Sequence, residues 1–169
     1  HFAAQPGVRY SRINPVSYLD SNINALGSLV EAMAKTGCRK MIFAGSSSVY
    51  GQIDTQSALE SAPLGASTSL YALTKRFGEE YLSFLEKSLD ATSLRFFTVY
   101  GPWGRPDMAY LRFMAAMRLG ENADLFGDMS RMRDFTYIAD VTASVLKVTT
   151  ALLDGVELPS VINVGHGEP

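Results

Sequence analysis

Arg39-Lys40-Met41-Ile42-Phe43-Ala44-Gly45, closed by Ser46-Ser47-Ser48, is the stretch that decides the fold. Its centre is apolar without alternation and too short for a helix, so it reads as a strand buried on both faces. Upstream, Leu19, Ile23, Leu26, Val30 and Met33 recur at steps of four and three. That spacing predicts a helix from near Val16 to Lys35 with one apolar stripe. Ser17 and Asp20 have capping-box spacing at its start, and Gly37 stops it. Downstream, residues 52–68 are polar and turn-rich, with Pro63 and Gly65, and read as a surface loop. A second helix is expected from about Ser69 to Leu89, apolar at Phe77, Tyr81, Leu85 and Leu89, with Gly78 a weak point.

The remainder continues the alternation. Residues 92–100 are rich in β-branched and aromatic side chains and predict a strand, ended by Gly101-Pro102-Trp103-Gly104-Arg105-Pro106. A helix from Asp107 to Leu119 and a short strand near Asp134 to Ile138 follow. Asp140 is placed to cap a last helix whose stripe is Val141, Val145, Val148 and Leu152, and Val161-Ile162-Asn163-Val164-Gly165 closes as a buried strand. At the other end His1-Phe2-Ala3-Ala4 resembles the close of a buried strand, and Gln5-Pro6-Gly7-Val8-Arg9 a loop. Strands alternating with helices imply the α/β class, a doubly wound parallel sheet covered on both faces. Ligands of such sheets bind at the strand C-terminal ends, where this order gathers the serine run, Thr98 and the start of the Ser69 helix.

Composition narrows the chemistry. The 169 residues suffice for one domain with a substantial core, and 47% hydrophobic with 19% charged residues is a globular balance. A formal charge of -2 gives no basic field and counts against nucleic acid as partner, so an anionic ligand must be held by local arginines. The single cysteine, Cys38, cannot form an internal disulfide and reads as a small buried hydrophobe. Two histidines cannot build a usual metal site, so no metal is expected. No apolar run reaches the roughly 20 residues that span a bilayer, and no signal peptide is visible; no membrane partner and a reducing, cytoplasmic setting are expected. Opening on His1 and stopping just beyond a strand, the chain reads as the middle of a longer protein.

Within this frame Ser69-Leu70-Tyr71-Ala72-Leu73-Thr74-Lys75 carries the chemistry. Tyr71 and Lys75 are four residues apart and share a helix face. Bringing a phenol from about 10 to about 7 requires roughly 4 kcal/mol of preference for the phenolate, and a neighbouring cation supplies part of it.

Together these pieces resemble the extended short-chain dehydrogenase/reductase superfamily, in its NAD-dependent nucleotide-sugar epimerase and dehydratase branch. The matching segments are HFAAQPGVRYS, DSN, FAGSSSVYG, SLYALTK, LRFFTVYGPWGRPDM, RDFTYIADV and INVGHGEP, in family order over essentially the whole chain. The resemblance implies a Rossmann-like fold lacking its first βαβ unit and its C-terminal end. Residues 1–104 would be the C-terminal half of the NAD-binding domain, and 105–169 part of the sugar-nucleotide region with returning Rossmann elements. It implies that Tyr71 removes the C4 hydroxyl proton, that Lys75 lowers the Tyr71 pKa and holds the nicotinamide ribose, and that Ser46 hydrogen-bonds the same oxygen, with Ser47 a lesser candidate. Phe2, Ala3, Ala4, Asn22 and Phe97 match positions along the cofactor, and Arg133 matches the arginine on the nucleotide diphosphate. Ser47 and Ser48 stand where dehydratases carry Asp-Glu and decarboxylating synthases a glutamate, which disfavours both reactions. VYGPWGRPDM is most similar to UDP-glucuronate 4-epimerases, with Thr98, Arg105 and, more weakly, Arg9 facing the carboxylate region. The alternatives are a UDP-glucose 4-epimerase, another sugar-nucleotide dehydratase or reductase, or a non-catalytic nucleotide-binding scaffold. A homodimer is a further expectation of the resemblance.

Overall fold

The computed structural model describes residues 1–51, 58–123 and 133–167; positions 52–57 of the expected surface loop fall outside them. Three strands, β1 (Lys40–Ser46), β2 (Asp90–Phe96) and β5 (Val161–Val164), form a parallel sheet in the order β1-β2-β5. Register runs from Lys40 opposite Asp90 to Ser46 opposite Phe96, and from Ser93 opposite Val161 to Phe96 opposite Val164. On the free side of β1, the His1 amine donates to the Ile42 carbonyl at 2.7 Å and Ala44 N–H to His1 O at 3.1 Å. This short contact follows the expected strand end.

Side chains alternate across the sheet and build two cores. Met41 and Phe43 face α2 (Ala25–Thr36) and α3 (Leu70–Phe84), in a cluster with Leu26, Met33, Leu82 and Leu89. Leu94 and Val164 face α5 (Ile138–Leu153), with Val141 buried and Ile42, Val145 and Val148 packed against them. Helices therefore cover both faces, as the alternation implies. Gly78 has a positive reason to be glycine: a Cβ there would stand 2.5 Å from the Phe43 ring.

Four local expectations are corrected. The first helix is not uniform: α1 (Pro15–Tyr18) runs into a π-helical segment, Leu19–Asn24, before α2 begins. The wider turns move the inward face by one residue, so Tyr18 and Asn22 are buried while Leu19 is exposed. Its cap is Asn14, whose side chain accepts Ser17 N–H with Pro15 following, rather than the Ser17 and Asp20 pair. Asp140 lies in the first turn of α5 without capping it, since Tyr137 holds the cap position. Cys38 is exposed, because it lies beyond the left-handed Gly37 that ends α2 and before β1 enters the sheet.

The strand predicted over 92–100 is two. β2 stops at Phe96, and β3 (Thr98–Tyr100) pairs in parallel with β4 (Phe135–Tyr137) in a second sheet. Successive amides part company: Phe97 N–H donates to Val164 O at 3.1 Å and Thr98 N–H to Asp134 O at 3.0 Å. α4 (Ala109–Leu119) follows, ended by left-handed Gly120. Among the described residues no helix is long and apolar enough to cross a membrane.

Candidate active site

The C-terminal end of β1 turns through Ser46, which caps a 3-10 turn over Ser47–Tyr50 by accepting Ser48 N–H at 3.2 Å. Ser48 Oγ also donates to Ser46 Oγ at 2.9 Å. α3 starts beside this turn because Ser69, in extended backbone, accepts Ala72 N–H at 3.1 Å. Tyr71 lies in its first turn and is held edge-on by the fully buried Tyr18, ring centroids 6.3 Å apart.

These elements open onto a cleft of about 1030 Å³. Of the predicted site residues, Phe2, Ala4, Arg9, Ser46, Ser47, Tyr71, Lys75, Phe97, Thr98, Arg105 and Arg133 line it, drawn from every quarter of the chain. Ala3 and Asn22 do not. Asn22 is buried and its amide is spent on the protein, accepting Gln5 N–H at 2.7 Å and donating to Gln5 O at 3.2 Å and Thr74 Oγ1 at 2.9 Å. It anchors the loop after His1–Ala4 instead of facing the cleft. Thr98 enters the cleft at the first residue of β3.

Electrostatics separate the site residues. Burial raises the Tyr71 phenol above its ordinary value, opposed first by the Ser46 hydroxyl hydrogen-bonded to it and then by the positive charge of Arg105. The expected pull of Lys75 on the phenol is not what this geometry provides. Lys75 Nζ donates to Ala44 O at 2.7 Å and lies 6.0 Å from the Tyr71 ring centroid. Burial brings Lys75 itself down to about 8, with Glu79 opposing. Arg105 is also bound to Asp107 through two contacts, Nε to Oδ1 at 3.0 Å and Nη2 to Oδ2 at 3.1 Å. Arg133 is exposed, next to buried Asp134. The Asp134 carboxyl is held below its ordinary value, despite burial, by the N–H groups of His166 and Gly167 and by Thr136.

Sequence reasoning passed over Tyr18, Glu79, Arg95 and Asp134. Each acts through a partner distant in sequence or through backbone groups, so no spacing rule marks it. Among the described residues no group of acidic, histidine or cysteine side chains could hold a metal ion.

A parallel sheet with a serine turn, a tyrosine and a buried lysine at its strand ends, facing an arginine-lined cleft, defines an α/β protein whose cleft lies where ligands of such sheets bind. The chain belongs to the NAD dependent epimerase/dehydratase family, whose model matches residues 1–165. It is 39% identical over 152 residues to a probable UDP-glucuronate 4-epimerase of Rhizobium meliloti, covering 88% of this chain and 44% of that protein. It is 44% identical over 152 residues to UDP-glucuronate 4-epimerase 1 of Arabidopsis thaliana, covering 86% and 35%. Among solved structures, a UDP-glucuronic acid 4-epimerase from Bacillus cereus in complex with UDP-glucuronic acid and NAD superposes with a TM-score of 0.82 at 36% identity, covering 96% of this chain and 52% of that one. A UDP-N-acetylglucosamine 4-epimerase from Methanobrevibacter ruminantium superposes with a TM-score of 0.86 at 31% identity, covering 99% and 55%. The chain thus spans less than half the length of these two curated relatives and about half that of the solved structures.

Proposed function

We propose that this chain is the catalytic part of an NAD-dependent 4-epimerase of a nucleotide sugar, acting on UDP-glucuronate and giving UDP-galacturonate through a 4-keto intermediate. The single observation that carries it is the meeting of Ser46, Tyr71 and Lys75 at one cleft with Thr98, Arg105 and Arg133. The residues present suit NAD: Phe2 offers a 57% exposed ring, Ala4 leaves room for a ligand, and Lys75 brings an ammonium to the same wall. Phe2, Ala4, Phe97 and Lys75 would hold it, and it would supply reversible acceptance of a hydride. Tyr71 then takes the C4 hydroxyl proton, and Ser46 orients that oxygen by a hydrogen bond. The Ser46 hydroxyl and the charge of Arg105 favour the phenolate against the burial that raises it. Arg133 and Arg9 present guanidinium groups to phosphate or carboxylate oxygens.

A second reading, a neutral hexose as substrate, draws on one observation: the guanidinium of Arg105 is already engaged by Asp107. The assay is made on the complete product of the gene that encodes this chain, incubated with NAD and UDP-glucuronate, with the sugar identified by proton NMR. UDP-galacturonate is expected. An inert uronate beside an epimerised UDP-glucose would establish the second reading, and UDP-xylose would show that Ser48 does not bar decarboxylation. Arg105→Ala should cut kcat/KM for the uronate about 100-fold and for a neutral sugar far less. The reading extends to a cytoplasmic homodimer, for which the exposed Leu73, Phe77 and Phe84 of α3 offer an apolar face; light scattering of the same product tests it.

A further inference from the structure

The steps above leave unused the most elaborate buried polar cluster among the described residues. One turn beyond Lys75 on the same face of α3, Glu79 is 8% exposed. Arg95 of β2 grips its carboxylate through Nη2 to Oε2 at 2.7 Å and Nε to Oε1 at 3.0 Å, and Ser93 Oγ adds a bond to Oε1 at 3.1 Å. Gly45 makes room for this inside β1, because a Cβ there would stand 2.5 Å from Ser93 Oγ and 3.0 Å from Glu79 Oε1. Arg95 continues over the Tyr50 ring at 4.7 Å, and the Tyr50 hydroxyl donates to Asn163 Oδ1 at 2.7 Å. The chain of contacts runs from α3 through β2 and the serine turn to β5, beneath the cleft floor.

Buried ion pairs of this kind add little net stability, and apolar replacement of both partners is often neutral or better. A carboxylate one turn from a 4% exposed ammonium has another effect. We propose that Glu79 is a positioning residue for Lys75: its carboxylate, immobilised by Arg95 and Ser93, keeps the lysine in its charged form at the end of β1. The proposal rests on the reading of Lys75 as the ammonium that holds the cofactor at this cleft. Burial alone favours loss of the Lys75 proton, and Glu79 opposes it. Without the carboxylate, that opposition goes and Arg95 is left as a second buried positive charge. The charged and titratable groups around Lys75 are Tyr71 and Glu79 from α3, while Arg95 comes from β2.

The test is a titration of the Lys75 ammonium by nitrogen-15 NMR in the complete gene product, its signal assigned by loss in Lys75→Met. With Glu79→Gln the midpoint should fall by about one pH unit. The alkaline limb of turnover should fall with it, and Glu79→Asp should recover most of the difference. An unchanged midpoint overturns the proposal. If Glu79→Gln does not fold, the double variant Glu79→Gln with Arg95→Met leaves no unpaired charge; its midpoint should fall by less, since Arg95 no longer adds its charge, and an unchanged midpoint again overturns the proposal. The titration needs no substrate, so the two readings fail separately. A midpoint that falls in a protein with no epimerase activity retires the proposed function and leaves this inference in place.

Discussion

Helices α3 and α5 lie on opposite faces of one sheet and are nearly equal in length, at 15 and 16 residues, yet they bury opposite chemistries. α5 packs Val141, Val145 and Val148 into the core beneath it and buries Leu152, and each such side chain contributes up to about 1.5–3 kcal/mol when fully buried. α3 buries Thr74, Lys75 and Glu79 beside Ala72, Gly78 and Leu82. An ammonium and a carboxylate in that position cost desolvation that must be offset elsewhere. The difference teaches where polar function is housed: α5 contributes packing alone, whereas α3 joins the core through Leu82 and also carries the buried polar groups beneath the cleft.

Four substitutions break or sharpen that contrast, in order of decreasing effect. Tyr71→Phe should lower kcat of the complete gene product about 1000-fold, roughly 4 kcal/mol of barrier, while its thermal midpoint hardly moves. Leu152→Ala on the other helix should do the reverse, costing about 3 kcal/mol in urea unfolding with the pH profile of turnover unchanged. Lys75→Met removes activity and should raise stability at pH 7 by about 1–3 kcal/mol, because the buried ammonium is replaced by an apolar chain of similar length. The sign follows from a folded value of about 8 against 10.5 for the unfolded chain: the native protein gains stability as pH climbs through that interval. The advantage of the methionine variant should therefore be complete below pH 8 and shrink towards 10.5, as pH-dependent denaturant titrations would show. Asp134→Asn should have the smallest effect, about 1 kcal/mol at neutral pH. The folded carboxyl is depressed, so its contribution is present above the ordinary value of 3.8 and is lost as pH falls through the lower folded value. Acid unfolding curves of the two proteins should converge there.

Much of this was legible before any coordinates. The stripe of α5 is read correctly from period alone, because the helix is regular from Ile138 to Leu153. β1, its serine turn and the start of α3 at Ser69 likewise follow from apolar run, small polar residues and cap. The first helix is misread at Leu19 and Ile23 because a 3.6-residue period cannot register a π turn. The break at Phe97 leaves no mark in the sequence because the composition of residues 92–100 is uniform, whereas the switch of sheet is decided by partners at Asp134 and Val164. In the site, Tyr71 and Lys75 could be named because they stand four residues apart on one helix, and Ser46 because its strand-end motif resembles the family's. Asn22 could be named too, but not its use, since Gln5 and Thr74 lie 17 and 52 residues away. The Glu79 and Arg95 pair, 16 residues apart across two elements, leaves no periodic trace.

The π turn at Leu19–Asn24 has a consequence for length variation. A π turn takes up one residue more than the helix around it, which is how a helix absorbs a single inserted residue while the segments on both sides keep their contacts. Deleting one residue there would restore even winding with the flanking segments in place, so Tyr18 would keep its place against Tyr71 and its hydroxyl its bonds to the Pro6 and Gly7 carbonyls. The same deletion in the regular turns of α2 would rotate everything upstream by about 100° and pull that wall of the cleft apart. At this helix the π turn is where the residue count can change without disturbing the cleft.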